Sequence, residues 1–346
     1  MNDDKNSIDR LGKYGLIEYL TQNAEALNKS TLSKIGDDSA IIDSGGSLTL
    51  VSTDLMMEGI HFNLVYSPLK HLGYKTVIRG ISDIYAMNGT PGQIFVGLGI
   101  SSRFDTVDLE EFYEGIYLAC KKYGVDLAGG DTTTSLTGLT VSVTAVGIAE
   151  RGKVVRRSGA KPNDLICVTG NLGAAYMGLQ VLERERRLFS KDPDFKPVLS
   201  GYEYLIGRQL KPEIPVKVLQ EINSRGISPA SMIDISEGLA SDLLQLCKFS
   251  DTGCRIFRDK IPLDYDTVRL AEELMIDPLI AALNGGEDYE ILFTVPLDQY
   301  EKVLQVKGIS IIGHMTGKEQ GRYLVTEQGQ EIELIAQGWR KETMEE

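Results

Sequence analysis

Carboxylates recur in this chain where apolar segments break at small residues. Asp37 and Asp38 are adjacent in "KIGDDSAIID", and Asp54 closes "LVSTD". Asp83 lies in "GISDIYAMNG", and Asp131 follows Gly129 and Gly130. Asp234 and Glu237 share "MIDISEG", while Glu287 and Asp288 follow Gly285 and Gly286. Taken singly, each is an acid of a turn or helix cap, bonding nearby amides. Taken together they suggest one site, because carboxylates crowded in one place repel unless cations sit among them. Oxygen-only ligands suit Mg²⁺, and Mg²⁺ suits nucleotide phosphates. The chemistry this points to is phosphoryl transfer, in which a protein mainly positions groups and neutralises charge.

Other ways of holding a phosphate are missing. No G-x-x-x-x-G-K-[ST] loop occurs, and Gly97-Leu98-Gly99 leads to Ser102 rather than a third glycine. The motif set of protein kinases is missing as well. Asp and Glu total 49 against 36 Lys and Arg, a net charge of −13, which argues against nucleic-acid binding and for cation-mediated phosphate contact. Three histidines and four cysteines without a C-x-x-C pair argue against zinc. Scattered cysteines and a polar, acidic N-terminus suggest a cytoplasmic protein without a signal peptide. No apolar run approaches the length of a membrane span.

Mixed strands and helices must position the acids. The spacing predicts a helix over 9–23, a strand over 47–54 ending at Asp54, a helix over 70–87, a strand over 92–101 and a helix over 109–123. Strands follow at 126–131 and 139–149. The basic stretch "ERGKVVRRSGAKPND", with its Gly and Pro, reads as a junction. Beyond it, a strand over 165–169, a turn at Gly170 to Gly173 and a helix from Ala174 open a second α/β unit. A strand-like segment ends at Ser236, and a helix follows over 238–249. The length also suggests two domains, so the expected class is α/β (α+β), divided at 1–150 and 151–346.

The series "IGDDSA", "VSTDLMMEGIHF", "ISDIYAMNGTP", "AGGDTT", "RRSGAKPND", "MIDISEGLASDL" and "LNGGEDYEILFTV" resembles the thiamine-monophosphate kinase family of the PurM-like superfamily, over about Ile35 to Trp339. The resemblance implies ATP-dependent phosphorylation of thiamine monophosphate to thiamine diphosphate, several Mg²⁺ ions, and a homodimer paired through N-terminal domains. It implies metal contacts at Asp38, Ser52, Thr53, Asp54, Asp83, Asp131, Asp234 and Glu237. It places Gly130, Asp131, Arg157 and Ser236 at the nucleotide, and His61, Glu287 and Trp339 on the acceptor side. Asp131, Asp234 and Arg157 are the expected catalytic residues. The acceptor is already an ionised phosphate oxygen, so no strong general base is required.

One position departs from the family pattern. The second-domain motif usually reads Asp-x-Ser-Asp-Gly, whereas here Glu237 follows Ser236. The added methylene extends the reach by about 1.5 Å, and Mg²⁺ tolerates little deviation from octahedral geometry. Two rivals stand beside the kinase expectation. One is another ATP-dependent synthetase of the superfamily, although no cysteine precedes Cys120 as a selenophosphate synthetase would be expected to show. The other is a non-catalytic binder of nucleotide or thiamine phosphate.

Overall fold

A computed structural model describes residues 8–336 except Lys34 and Pro193, with the side chains of 8–10 also left aside. The first half runs α1 (Ile8–Thr21), β1 (Ala40–Asp43), β2 (Leu48–Met57), α2 (Leu69–Tyr85), β3 (Thr90–Ile100), α3 (Thr106–Tyr123), β4 (Asp126–Thr134) and β5 (Thr140–Ala149). The second half begins with β6 (Leu165–Thr169), α4 (Ala174–Lys191), α5 (Glu203–Leu210), α6 (Val216–Ser224), β7 (Ser231–Asp234), α7 (Leu239–Ser250) and β8 (Thr252–Phe257). It ends with α8 (Tyr265–Glu273), α9 (Pro278–Asn284), β9 (Ile291–Val295), α10 (Tyr300–Leu304), β10 (Ile309–Gly317), β11 (Arg322–Val325) and β12 (Glu331–Glu333).

Strands β1 to β5 form one sheet in the order β1-β2-β5-β3-β4, in which only β3 and β4 run parallel. Strands β6 to β12 form a second sheet in the order β12-β11-β8-β10-β6-β9-β7. The alternation predicted for a half-covered strand is clear in β5, where Val141, Val143, Ala145 and Ala149 are buried and Ile148 is exposed. No described helix is long and apolar enough to cross a membrane. The four cysteines are free and buried.

Helix α2 is the centre of the molecule. Most of its residues are buried, because it lies between the first sheet and the β7 end of the second. A single apolar cluster runs from Leu50, Ile78 and Val143 to Met232, Tyr289 and Phe293, so the two halves share a core. Helix α3 covers α2 at glycine contacts: a Cβ on Gly73 would stand 1.9 Å from the Phe112 carbonyl oxygen, and one on Gly115 would stand 1.9 Å from that of Lys70. Asp105 starts α3 with a capping box, and Gly124 ends it in the left-handed region at φ 66°.

Candidate active site

Helical spacing brings Lys75, Arg79, Ser82 and Asp83 onto one side of α2. That side faces Asp54 of β2, Asp234 at the end of β7, and the turn carrying Glu287. Asp38 arrives from the turn before β1. Oxygens of Asp38, Asp83 and Asp234 all lie within 4.8 Å of one another. The carboxylates of Asp54, Asp83 and Asp234 line a cleft of about 290 Å³ together with Arg79, Arg157 and Ser236.

The cleft holds its acids rigidly. Arg157 donates from Nη2 to Asp38 Oδ1 at 2.6 Å and from Nη1 to the Gly36 carbonyl at 3.0 Å. Its backbone amide donates to Asp37 Oδ1 at 3.1 Å, while Arg156 Nη1 donates to Asp37 Oδ2 at 2.8 Å. Arg156 is therefore tied to the same turn. Gly36 sits at φ 137°, where a Cβ would press into the Phe249 ring at 2.7 Å, so only glycine fits this turn. Ser82 Oγ donates to Asp234 Oδ2 at 2.6 Å, and Ser236 Oγ donates to Oδ1 at 3.2 Å. Arg79 Nε donates to Asp54 Oδ1 at 3.1 Å.

Without cations the cleft resists ionisation. Burial pushes Asp38 up to about 6, against the pull of Arg157. Burial, reinforced by Asp54, Asp234 and Asp38, holds Asp83 well above the usual carboxylate range. Asp54 and Asp234 are raised for the same first reason. Two buried oxygens, Asp38 Oδ2 and Asp54 Oδ2, have no hydrogen-bond partner among the described residues. Converging oxygen donors with unfilled lone pairs fit a hard divalent cation.

The acceptor-side candidates adjoin this cluster. Glu287 has φ 57°, and its amide donates to the Ser236 carbonyl at 2.9 Å. Its carboxylate accepts from Lys75 Nζ at 2.6 Å and Gln209 Nε2 at 3.2 Å, with Arg79 at 3.6 Å. Burial opposes its charge, yet Lys75 and Arg79 hold its carboxyl below the ordinary value. His61 follows β2, and its Nδ1 accepts from the Met57 amide at 3.0 Å. Burial and then Arg79 lower its pKa, so the imidazole is neutral at pH 7.

Several predicted residues have other surroundings. Ser52 is buried, and its hydroxyl donates to the Gly80 carbonyl at 3.2 Å. Thr53 borders the cleft, but its hydroxyl pairs with Thr144 at 3.1 Å. Glu237 is paired with Lys13 of α1. Gly130 and Asp131 lie on exposed β4. Register places Asp131 beside Gly97, Gly97 beside Ser142, and Ser142 beside Leu55. Asp131 thus stands three strands from β2, about 14 Å across the sheet, and points away from the face that carries Asp54. Within one chain it does not join the cluster. Trp339 lies outside the described residues.

The sequence reading missed Lys75, Arg79, Ser82 and Asp242. Their signal was present in part: Lys75, Arg79 and Asp83 recur every four residues. Asp242 accepts from the amides of Glu237 and Gly238 at 3.2 and 3.1 Å, bracing the Asp234-to-Gly238 turn. The turn at Gly170 to Gly173 has an internal partner, since the Gly173 amide donates to Asp288 Oδ2 at 2.8 Å.

Comparison with known proteins matches residues 36–149 to the family model "AIR synthase related protein, N-terminal domain". A thiamine-monophosphate kinase of Bacillus subtilis is 36% identical over 274 residues, 78% of this chain and 80% of the relative. One from Buchnera aphidicola is 34% identical over 323 residues, 91% of this chain and 94% of the relative. A solved structure described as "AaThiL complexed with AMPPCP and TMP" is 29% identical with a TM-score of 0.79, covering 96% of this chain and 98% of the other.

Proposed function

This chain belongs to the thiamine-monophosphate kinase family, and on that premise we propose that the cleft around Asp38, Asp83 and Asp234 is where, with Mg²⁺, it carries out the family's reaction. The reaction moves the γ-phosphoryl group of ATP onto the phosphate of thiamine monophosphate, giving thiamine diphosphate and ADP. The observation that carries this placement is the convergence of three carboxylates from three separate elements within 4.8 Å. A non-catalytic binder has no need of so costly a cluster.

Asp38, Asp54, Asp83 and Asp234 would hold the cations, with Glu237, Ser52 and Thr53 at the margin. Bound Mg²⁺ neutralises phosphate charge and aligns the reacting oxygens. Arg157, fixed by Gly36 and Asp38, presents a guanidinium to the nucleotide phosphates, and Ser236 stands beside it. Glu287 and His61 face the acceptor, where a carboxylate attracts the cationic thiazolium ring. Separate, buried thiols suit the cytosol.

The outer face of the first sheet supports a homodimer. Leu55, Met57, Phe95 and Ile148 are exposed there, by 52, 42, 40 and 57%, and β4 is an open edge. Pairing through this face would bring Asp131 and Gly130 to the cleft of the second copy. Mixing Asp131→Asn with Asp83→Asn chains would then restore one intact site per mixed dimer. Turnover in the mixture, with each variant inactive alone, is the expected result, and an inactive mixture of mixed dimers would place Asp131 in its own chain's site.

The reaction is tested by coupled ADP release with ATP, thiamine monophosphate and Mg²⁺, beside thiamine as acceptor and an EDTA control. Thiamine diphosphate made only from the monophosphate, and only with Mg²⁺, is expected. Binding of ATP without turnover would sink the reading.

The raised carboxyls give a second expectation. In the folded, cation-free protein they keep protons that the unfolded chain releases near pH 4. Stability therefore falls as pH rises through the folded values, about 6 for Asp38. Mg²⁺ binding opposes this loss. The gain in thermal midpoint from Mg²⁺ should exceed that at pH 5 by at least about 4 °C when measured at pH 8. Equal gains by scanning fluorimetry would contradict cation binding at these groups.

A further inference from the structure

Glu237 departs from the family pattern, and the fold gives it a partner within the chain. Lys13 stands on α1 directly after the break at Gly12, where φ is 64° and ψ is 177°. Its ammonium is bonded to the Glu237 carboxylate. Both side chains remain open to solvent, by 39% and 33%, and both border the acidic cleft.

Two further contacts hold α1 over this corner. Tyr14 is largely enclosed beside Asp242 and Arg157, and Glu18 pairs with Lys248 of α7. Lys13 is close enough for its charge to act on Asp54 and His61 as well as on Glu237. The ammonium therefore borders the cleft that Asp54, Asp83 and Asp234 line.

The longer side chain explains the pairing. Glutamate carries its carboxylate outward, to α1, instead of inward to Asp38, Asp83 and Asp234. An ammonium held beside the carboxylate competes with a divalent ion for its oxygens. An ammonium at the mouth of a phosphate site is a point charge with three donors, suited to phosphate oxygens.

Resting on the kinase reading, we propose that Lys13 is a built-in cation of this active site. It takes the place of a divalent ion at Glu237 and contacts the phosphates of the bound nucleotide or acceptor directly.

The test counts Mn²⁺ by electron paramagnetic resonance, with a non-hydrolysable ATP analogue bound. Lys13→Ala should bind about one further ion per chain, because Glu237 is freed as an oxygen ligand. Lys13→Arg should keep the wild-type count. Glu237→Asp tests the same idea with α1 and Lys13 intact: the shorter side chain leaves the ammonium and should also gain an ion. In turnover, Lys13→Ala should need roughly tenfold more Mg²⁺ for half-saturation, about the loss of one charged hydrogen bond. An unchanged Mn²⁺ count in Glu237→Asp would overturn the proposal and reduce the pair to a surface salt bridge. Should the wild type fail to phosphorylate thiamine monophosphate while the Mn²⁺ counts shift as expected, the kinase reading falls and the built-in cation stands.

Discussion

Replacing Asp83 by asparagine is expected to lower turnover about 10³-fold and, at the same time, to raise the thermal midpoint of the cation-free protein. Asp83 reaches the cleft from α2, and its carboxylate has no hydrogen-bond or ion-pair partner among the described residues. It shares its surroundings with Asp38, Asp54 and Asp234, which add to burial in opposing its charge. Asparagine keeps the shape but removes the charge that a cation needs. Loss of one such group from a phosphoryl-transfer site should lower kcat by about 10³. Asparagine is also neutral without taking up a proton, so the empty cleft no longer carries the cost of keeping Asp83 protonated, which should raise the midpoint by about 3 °C in EDTA at pH 8. The two measurements are steady-state kinetics and scanning fluorimetry with and without Mg²⁺. A variant that lost stability in both conditions would assign Asp83 a structural role.

Lys75→Met should have the largest effect on stability. The side chain of Lys75 is 6% exposed, and its ammonium donates to Glu287 at 2.6 Å and to the Gln209 carbonyl at 2.9 Å. Methionine fills a similar volume but leaves the carboxylate in a poorly solvated place with the Gln209 amide at 3.2 Å and Arg79 at 3.6 Å. Breaking a buried pair by removing one partner costs about 3 kcal/mol. Glu287→Gln in the same chain should recover a large part of that loss, because the stranded charge goes with it; a double-mutant cycle measures the coupling. Kinetically, Lys75→Met should raise KM for thiamine monophosphate more than it lowers kcat, as Glu287 turns from its set orientation. A stability loss below about 1 kcal/mol would mean that the pair is better solvated than its burial implies.

Arg79 links these two ends of the cleft. Its guanidinium lies between Asp54 at 3.1 Å and Glu287 at 3.6 Å. Neither Arg79 nor Lys75 belongs to a motif that draws attention by composition. Both became visible once α2 was seen to be buried, since buried cations require partners.

Much of the plan was legible in the order of residues alone. Period-two alternation marks β5, whose start differs from the expected 139–149 by one residue while its end agrees. The strand expected over 47–54 runs three residues further, to Met57, because β5 pairs with it along its whole length. The helix expected over 70–87 stops at Tyr85, where Met87, Asn88 and Gly89 turn back toward the Ile84 and Tyr85 carbonyls. The turn and strand expected in "NGGEDYEILFTV" are present, the strand as β9, whereas the other short elements from α8 to β12 gave little signal of their own, as brief segments lack enough turns or alternations to reveal a period.

For the site, residue type and local turn chemistry were enough to nominate the acids, because each sits in a short segment whose pattern is local. Convergence was a different matter. Asp38, Asp83 and Asp234 are far apart along the chain, and only the packing of α2 between two sheets brings their oxygens together. The same packing decided that Ser52 turns inward, that Glu237 meets Lys13, and that Asp131 faces away from its own chain's cleft. Spacing along a strand or helix states which side a residue faces; which other side it then meets is settled by long-range burial, and that has no local trace.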